Sequence, residues 1–236
     1  MPSVRIIGPG RAGHAFAGAL EAIGWRIAGL IGRGQTVVDA ADGVDLLLIT
    51  TPDSRIVDIA GQVEPNPDTV VAHVAGSRTL APVARHPRHG SIHPLMAIPA
   101  GPEGVSRLRG HCWFAVAGDP MLAGVGEALG GRVIVVADDD RALYHAAATV
   151  ASNHLVALMA QVERLAASVD IPLDAFLDLA RGSLENVAEL GPKAALTGPA
   201  ARGDDETIRR HLEAIGLDER ATYQALLEEA RRLAGR

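Results

Sequence analysis

The sequence predicts an α/β domain built on a parallel sheet, followed by an all-helical domain. Three observations predict it. Short apolar runs alternate with helical segments through the first half. A glycine-rich turn, Gly8-Pro9-Gly10-Arg11-Ala12-Gly13, joins the first run to the first helix. After Ala137 every periodic segment is helical. Strands separated by helices in this order imply right-handed crossovers and parallel pairing. The two expected domains are therefore residues 1–137 and 138–236.

Each element has its own signal. Residues 4–8 form an apolar run ending in glycine, and residues 11–23 place Ala12, Phe16, Ala19, Leu20 and Ile23 at helical spacing. Residues 25–31 read as a second strand. Residues 35–41 are short and ambiguous, so a helix and a third strand are abbreviated or missing there. Residues 45–51 (DLLLITT) are apolar on both faces, the mark of a buried strand. A helix at 53–63 and a buried strand at 69–74 follow. Residues 81–110 are rich in Pro, Gly and His, with a short strand just before His93. Strand-like runs at 112–117 and 132–136, with a helix between, extend the sheet. Three aspartates at 138–140 precede a long helix at 141–168, and further helices are expected at 172–190, 204–215 and 218–234.

Composition narrows the function. Lys+Arg is 22 against Asp+Glu 28, a net charge of −6, which argues against a nucleic-acid or anionic-membrane binder. No apolar run reaches the roughly 18 residues of a membrane span, and no signal peptide is evident. Lone Cys112 excludes an intrachain disulfide framework and a cysteine-only zinc site, and fits a cytoplasmic setting. Aromatics are 3% of the chain, so Ala, Val, Leu and Ile must build the core. Lys193 is the only lysine.

The glycine turn carries the first chemistry. It is G-x-G-x-x-G between strand and helix, the Rossmann arrangement, in which the glycines allow a tight turn, close approach to a pyrophosphate and close helix packing. The first helix then offers free N–H groups and its positive dipole end to the phosphates. Gly8, Pro9, Gly10, Arg11, Ala12 and Gly13 are the expected dinucleotide cradle. The second strand ends in Ile31-Gly32-Arg33-Gly34, with no acid to hold ribose hydroxyls; Arg33 can pair with a 2′-phosphate, which selects NADP(H) over NAD(H). Two further strand ends, Thr50-Thr51-Pro52-Asp53 and His73-Val74-Ala75-Gly76-Ser77, should line the cofactor cleft through Thr51, Pro52, His73, Ala75 and Gly76.

These motifs, with Ser91-Ile92-His93-Pro94-Leu95 and the stretch Leu196-Thr197-Gly198-Pro199-Ala200-Ala201-Arg202-Gly203-Asp204, resemble one family over nearly the whole chain. It is the group of Rossmann-like proteins with an appended helical domain of unknown function, DUF2520. That group is similar to ketopantoate reductases, pyrroline-5-carboxylate reductases and β-hydroxyacid dehydrogenases. The resemblance implies an NADP-binding domain, an all-α domain like the C-terminal domain of the hydroxyacid dehydrogenases that also forms a homodimer, and an active site in a cleft between the two. It implies an oxidoreductase acting on a CH–OH or CH–NH group of a small carbonyl or imine acid, ketopantoate among them. One departure stands out. The related dehydrogenases carry a proton-donating lysine four residues before an asparagine; here Asn153 matches the asparagine, and Thr149 holds the lysine position.

Hydride transfer to a carbonyl needs the oxyanion stabilised and a proton supplied. Asn153 and Thr149 can hydrogen-bond a carbonyl, or cap a helix and meet a dimer partner. His93 can act as acid or base, or be a structural histidine. Lys193 can replace the missing lysine, or be a surface residue. Arg202, with Thr197, can bind a substrate carboxylate or pin its own loop; Asp204 reads as a helix cap. His73, His86, His89 and His93 lie on separate loops without ligand spacing, so no metal is expected. A non-catalytic NADP(H)-binding module is the alternative from another class, and imine reduction the alternative within the enzymes.

Overall fold

The structure, a computed structural model, describes residues 1–236. The chain divides into two compact units, Met1–Ser152 and Asn153–Arg236.

The first unit is a seven-stranded sheet in the order β2-β1-β3-β4-β5-β6-β7. Its strands are β1 (Ser3–Ile7), β2 (Arg26–Ile31), β3 (Leu46–Ile49), β4 (Val70–His73), β5 (Arg88–Pro94), β6 (Trp113–Gly118) and β7 (Arg132–Val135). Strands β1 to β5 are parallel. β6 runs antiparallel to β5 and parallel to β7. The last two strands thus extend the sheet as expected, but in the reverse direction.

Side-chain alternation along each strand fills two cores. On one face Val4, Ile6, Leu46, Leu48, Val70 and Ala72 pack with Phe16 and Leu20 of α1 (Arg11–Glu21), with Leu108 of α3 (Pro102–Leu108), and with Leu122 and Val125 of α4 (Met121–Ala128). On the other face Ile7, Leu47, Ile49 and Val71 meet Ile56 and Ala60 of α2 (Ile56–Gln62). The ambiguous segment at 35–41 is neither helix nor strand. Val37, Ala40 and Ala41 cover the second core directly, and Arg5 holds the loop by donating to Ala40 O at 2.7 Å and Asp42 O at 3.0 Å.

β5 emerges from the Pro/Gly/His-rich middle because Gly90 lets β6 approach. A Cβ there would lie 2.4 Å from Ala117 O. Arg88 pairs with Asp119 through two hydrogen bonds of 2.9 and 3.1 Å and fixes the β5–β6 register. The change to an all-helical pattern puts the domain division near Ala137, whereas by packing α5 (Arg141–Thr149) groups with the sheet. A π-turn at Val150–His154 follows α5.

The second unit contains α6 (Leu155–Ala167), α7 (Leu173–Leu190), the short α8 (Pro192–Ala195) and α9 (Pro199–Arg202), α10 (Asp205–Ala214) and α11 (Leu217–Ala234). Asp204 caps α10, accepting the Thr207 N–H at 3.0 Å and its hydroxyl at 2.8 Å. Gln161 of α6 donates to Glu219 O of α11 at 2.9 Å, and Arg164 pairs with the Glu219 carboxylate. Neither α7 nor α11 has a buried residue, and Leu179, Leu184, Leu190, Leu217 and Leu226 are all exposed.

Candidate active site

In a mainly parallel sheet the carboxyl ends of the strands are where ligands bind. Here those ends carry the glycine turn after β1, the Arg33 turn after β2, Thr51-Pro52 after β3, Ala75-Gly76 after β4 and His93 on β5. The structure therefore gathers the cofactor-side candidates of the first unit along one edge.

The glycine turn is tight. Gly8 has φ +98°, its N–H donates to Ile31 O at 2.9 Å, and its carbonyl accepts the Gly10 N–H at 2.8 Å and the Thr50 hydroxyl at 2.7 Å. A Cβ on Gly13 would lie 2.4 Å from Gly8 O, so only glycine lets α1 start this close to β1. A Cβ on Gly10, in contrast, would meet nothing within 4 Å. The α1 N-terminus has no side-chain cap and no acid in its first turn, which leaves its N–H groups free for an anion. An open cleft of about 690 Å³ lies here, with Pro9, Gly10, Arg11 and His14 on one side and Ala100, Gly101, Pro102 and Val105 on the other.

Arg33 is exposed in the next turn. A Cβ on Gly32 would lie 3.9 Å from Pro9 Cγ, so this turn adjoins the glycine turn. Thr51 packs under Gly8, and its buried hydroxyl oxygen has no hydrogen-bond partner in the protein. Ser77 donates to Asp53 at 3.1 Å and ties the β3 and β4 loops together. These features fit a dinucleotide: a cradle that a Cβ would fill, uncapped N–H groups, a nearby arginine and an orphaned hydroxyl.

His73 behaves differently from the expectation. Its side chain is fully buried; Nδ1 accepts the Ala75 N–H at 3.2 Å and Nε2 faces Thr79 O at 3.0 Å. Both ring nitrogens are spent inside the loop, so the ring props the Ala75-Gly76 turn and does not reach a ligand.

Sequence reasoning missed three residues of α5. Arg141 is fully buried, 3.5 Å from Ala75 O, hydrogen-bonded to the Ser91 hydroxyl and 3.4 Å from Asp138. Tyr144, one turn on, has its hydroxyl 2.7 Å from His93 Nδ1. His145 closes the group, with its ring centroid 6.0 Å from that of His93. The available signal was the Arg141-x-x-Tyr144-His145 spacing, which puts these side chains on neighbouring faces of one helix.

Burial, the neighbouring His145 and the Arg141 cation push the His93 pKa down to about 4. Burial also lowers His73 and His86. Unfolding frees these rings to titrate near 6.5, so the unfolded chain binds more protons than the folded one below that pH. Stability is then fully present above about pH 6.5 and falls as the pH drops toward 4. A urea midpoint at pH 5 well below that at pH 7.5 is expected; an equal or higher midpoint at pH 5 would contradict it.

Thr149 is half-buried at the end of α5. Asn153 is exposed in the π-turn. Lys193 is exposed on α8, and Thr197 and Arg202 are exposed around α9. His86 and His89 are tied separately to Ala60 O and His86 O, and no group of three His, Cys, Asp or Glu side chains is placed to hold a metal ion. No helix is long and apolar enough to cross a membrane.

The family model described as a domain of unknown function, DUF2520, matches residues 112–230, half of the chain. The chain belongs to the DUF2520 family. No curated protein matches it in sequence. Among solved structures, a candidate NADP oxidoreductase from Bacteroides fragilis is 23% identical, with a TM-score of 0.77 over 100% of this chain and 98% of the other. A reductive aminase from Aspergillus terreus, solved with NADPH4, cyclohexanone and allyl amine, is 17% identical, with a TM-score of 0.72 over 98% and 94%. The pyrroline carboxylate reductase of Plasmodium falciparum, solved with NADP, is 11% identical, with a TM-score of 0.61 over 99% and 98%. At these identities the DUF2520 protein shares their fold.

Proposed function

We propose that this DUF2520 protein is an NADP(H)-dependent oxidoreductase that reduces a small carbonyl acid, of which ketopantoate is the leading candidate. The observation that carries this is the uncapped, glycine-lined start of α1 at the carboxyl edge of the sheet, with Arg33 beside it. Gly8 to Gly13 would hold the pyrophosphate, Arg33 the 2′-phosphate, and Thr51, Pro52, Ala75 and Gly76 the nicotinamide end. When bound, the reduced nicotinamide supplies the hydride. Structural neighbours that bind NADP or NADPH support the cofactor.

Imine reduction is the second reading, favoured by Thr149 in the lysine position and by the reductive aminase and pyrroline carboxylate reductase among the neighbours. A protonated imine makes smaller demands on an enzymic acid. Asn153, which matches the asparagine of the related dehydrogenases, and Lys193, the only lysine, are proposed to face the reacting group, and Thr149, Thr197 and Arg202, by their hydrogen-bonding chemistry, the rest of the substrate. NADPH consumption with ketopantoate, other 2-oxo acids and cyclic imines tests the reading. Saturable turnover with one class supports it, and none with any would favour the non-catalytic module. Arg33→Ala is expected to weaken NADPH binding about tenfold or more and leave NADH almost unchanged; equal loss for both would remove Arg33 from the 2′-phosphate.

We also propose a homodimer through the helical unit, because neither α7 nor α11 has a fully buried residue and both expose leucines. Light scattering should give twice the chain mass, and a monomer would contradict it.

A further inference from the structure

The geometry points to Tyr144, acting through His93, as the source of the proton delivered to a carbonyl substrate, in place of the lysine whose position Thr149 holds. The inference rests on the reductase reading above.

His93 sits at the carboxyl end of β5 with its two ring nitrogens facing different ways. A Cβ on Gly76 would lie 2.8 Å from His93 Cε1 and 2.9 Å from Nε2, so that edge of the ring lies against the β4 loop on the ligand side of the sheet. Glycine is needed at 76 for the ring to reach there. Nδ1 points instead to the Tyr144 hydroxyl at 2.7 Å, and the two rings cross edge to face at 86°. A phenol donating to Nδ1 leaves the ring proton on Nε2, toward Gly76.

The surroundings keep this arrangement. The Arg141 guanidinium and the rings of His145 and His73 face His93, and Asp53 opposes them. Burial and the Arg141 cation keep the ring neutral, so Nδ1 retains the lone pair that accepts the phenol proton. Burial raises Tyr144 to about 12, and Arg141, one turn away on α5, works in the opposite sense and steadies a phenolate.

The step balances. The carbonyl carbon gains the hydride that NADPH supplies when bound, and the carbonyl oxygen becomes an alkoxide. That oxygen takes the proton from His93 Nε2 while Nδ1 takes the phenol proton of Tyr144. An alkoxide is more basic than a phenolate, so the net transfer runs toward product. As product leaves, the phenolate recovers its proton from Nδ1, and Nε2 regains one from water. His93 is the catalytic residue that touches the substrate, and Tyr144 is the proton reservoir behind it.

Two measurements test this. The first needs no substrate: nitrogen NMR of the cofactor-free protein at pH 7, with His93 assigned through His93→Gln. A neutral ring protonated on Nε2 is expected in the wild type; a ring protonated on Nδ1, or an imidazolium, overturns the relay. The second compares Tyr144→Phe with wild type on ketopantoate and on pyrroline carboxylate, with NADPH affinity followed by fluorescence. Loss of an acid costs on the order of a hundredfold in kcat on the ketone. The loss on the imine, which can bind already protonated, should be at least tenfold smaller, with NADPH affinity unchanged. His93→Gln should repeat the pattern. Equal losses on both substrates, or undiminished ketone turnover, overturn the relay alone. A wild type that does not bind NADPH overturns the reductase reading itself, and the relay with it.

Discussion

Gly13→Ala is expected to lower NADPH affinity by on the order of a hundredfold and to destabilise the first unit by about 1–3 kcal/mol. The new methyl would lie 2.4 Å from Gly8 O and 2.8 Å from the Thr50 hydroxyl. Neither neighbour can yield cheaply. Gly8 O already accepts from Gly10 N and Thr50 Oγ1, and Thr50 Oγ1 also lies 3.1 Å from Ile7 O. The helix must move away from β1 instead, and its N–H groups move with it. Gly10→Ala separates the two effects. Gly10 has φ −81° and open space around its Cβ position, so alanine there leaves stability intact and obstructs only what approaches the turn. Thermal unfolding and fluorescence titration of both variants check this. Unchanged melting and unchanged affinity in Gly13→Ala would show that the close approach has no role.

Arg141→Met should cost about 2–4 kcal/mol. The guanidinium is fully buried and joins three segments: the Ala75 carbonyl after β4, the Ser91 hydroxyl on β5 and the Asp138 carboxylate before α5. Its Nε lies 3.4 Å from Asp138 Oδ1, an ion-pair contact and not a directed hydrogen bond. Asp138 in turn accepts the Leu80 N–H at 3.0 and 3.1 Å. Methionine fills the volume but leaves these acceptors without their donor, and the loop carrying Gly76 loosens. Lysine should fail to rescue, because one ammonium cannot reach three diverging partners. Urea unfolding measures the cost; a loss below about 1 kcal/mol would mean that packing alone holds α5 to the sheet.

Much of this architecture is legible in the residues. The strand, the glycine turn and the first helix are local features, each specified within a dozen positions. β3 announces itself because both of its faces are buried. β5 is harder, since Arg88, His89, Gly90, Ser91 and His93 lack apolar alternation; it is a strand because β4 and β6 pair with it on both sides. His73 misleads for a related reason. A polar residue at a strand end reads as a ligand contact, but its bonds to Ala75 and Thr79 are tertiary and invisible in sequence. Tyr144 and Arg141 are hidden the same way. Helical periodicity tells which residues share a face, and only the fold tells that this face meets His93 and Ser91. Lys193, conspicuous as the only lysine, lies exposed on a four-residue helix.

The carboxyl edge of the first unit is proposed as an NADP(H) site. Titration of the wild-type protein with NADPH and with NADH, followed by nicotinamide fluorescence, tests it most directly. One saturable site per chain, tighter for NADPH and weakened by Gly13→Ala, is the predicted result. No saturable binding of either dinucleotide would contradict it.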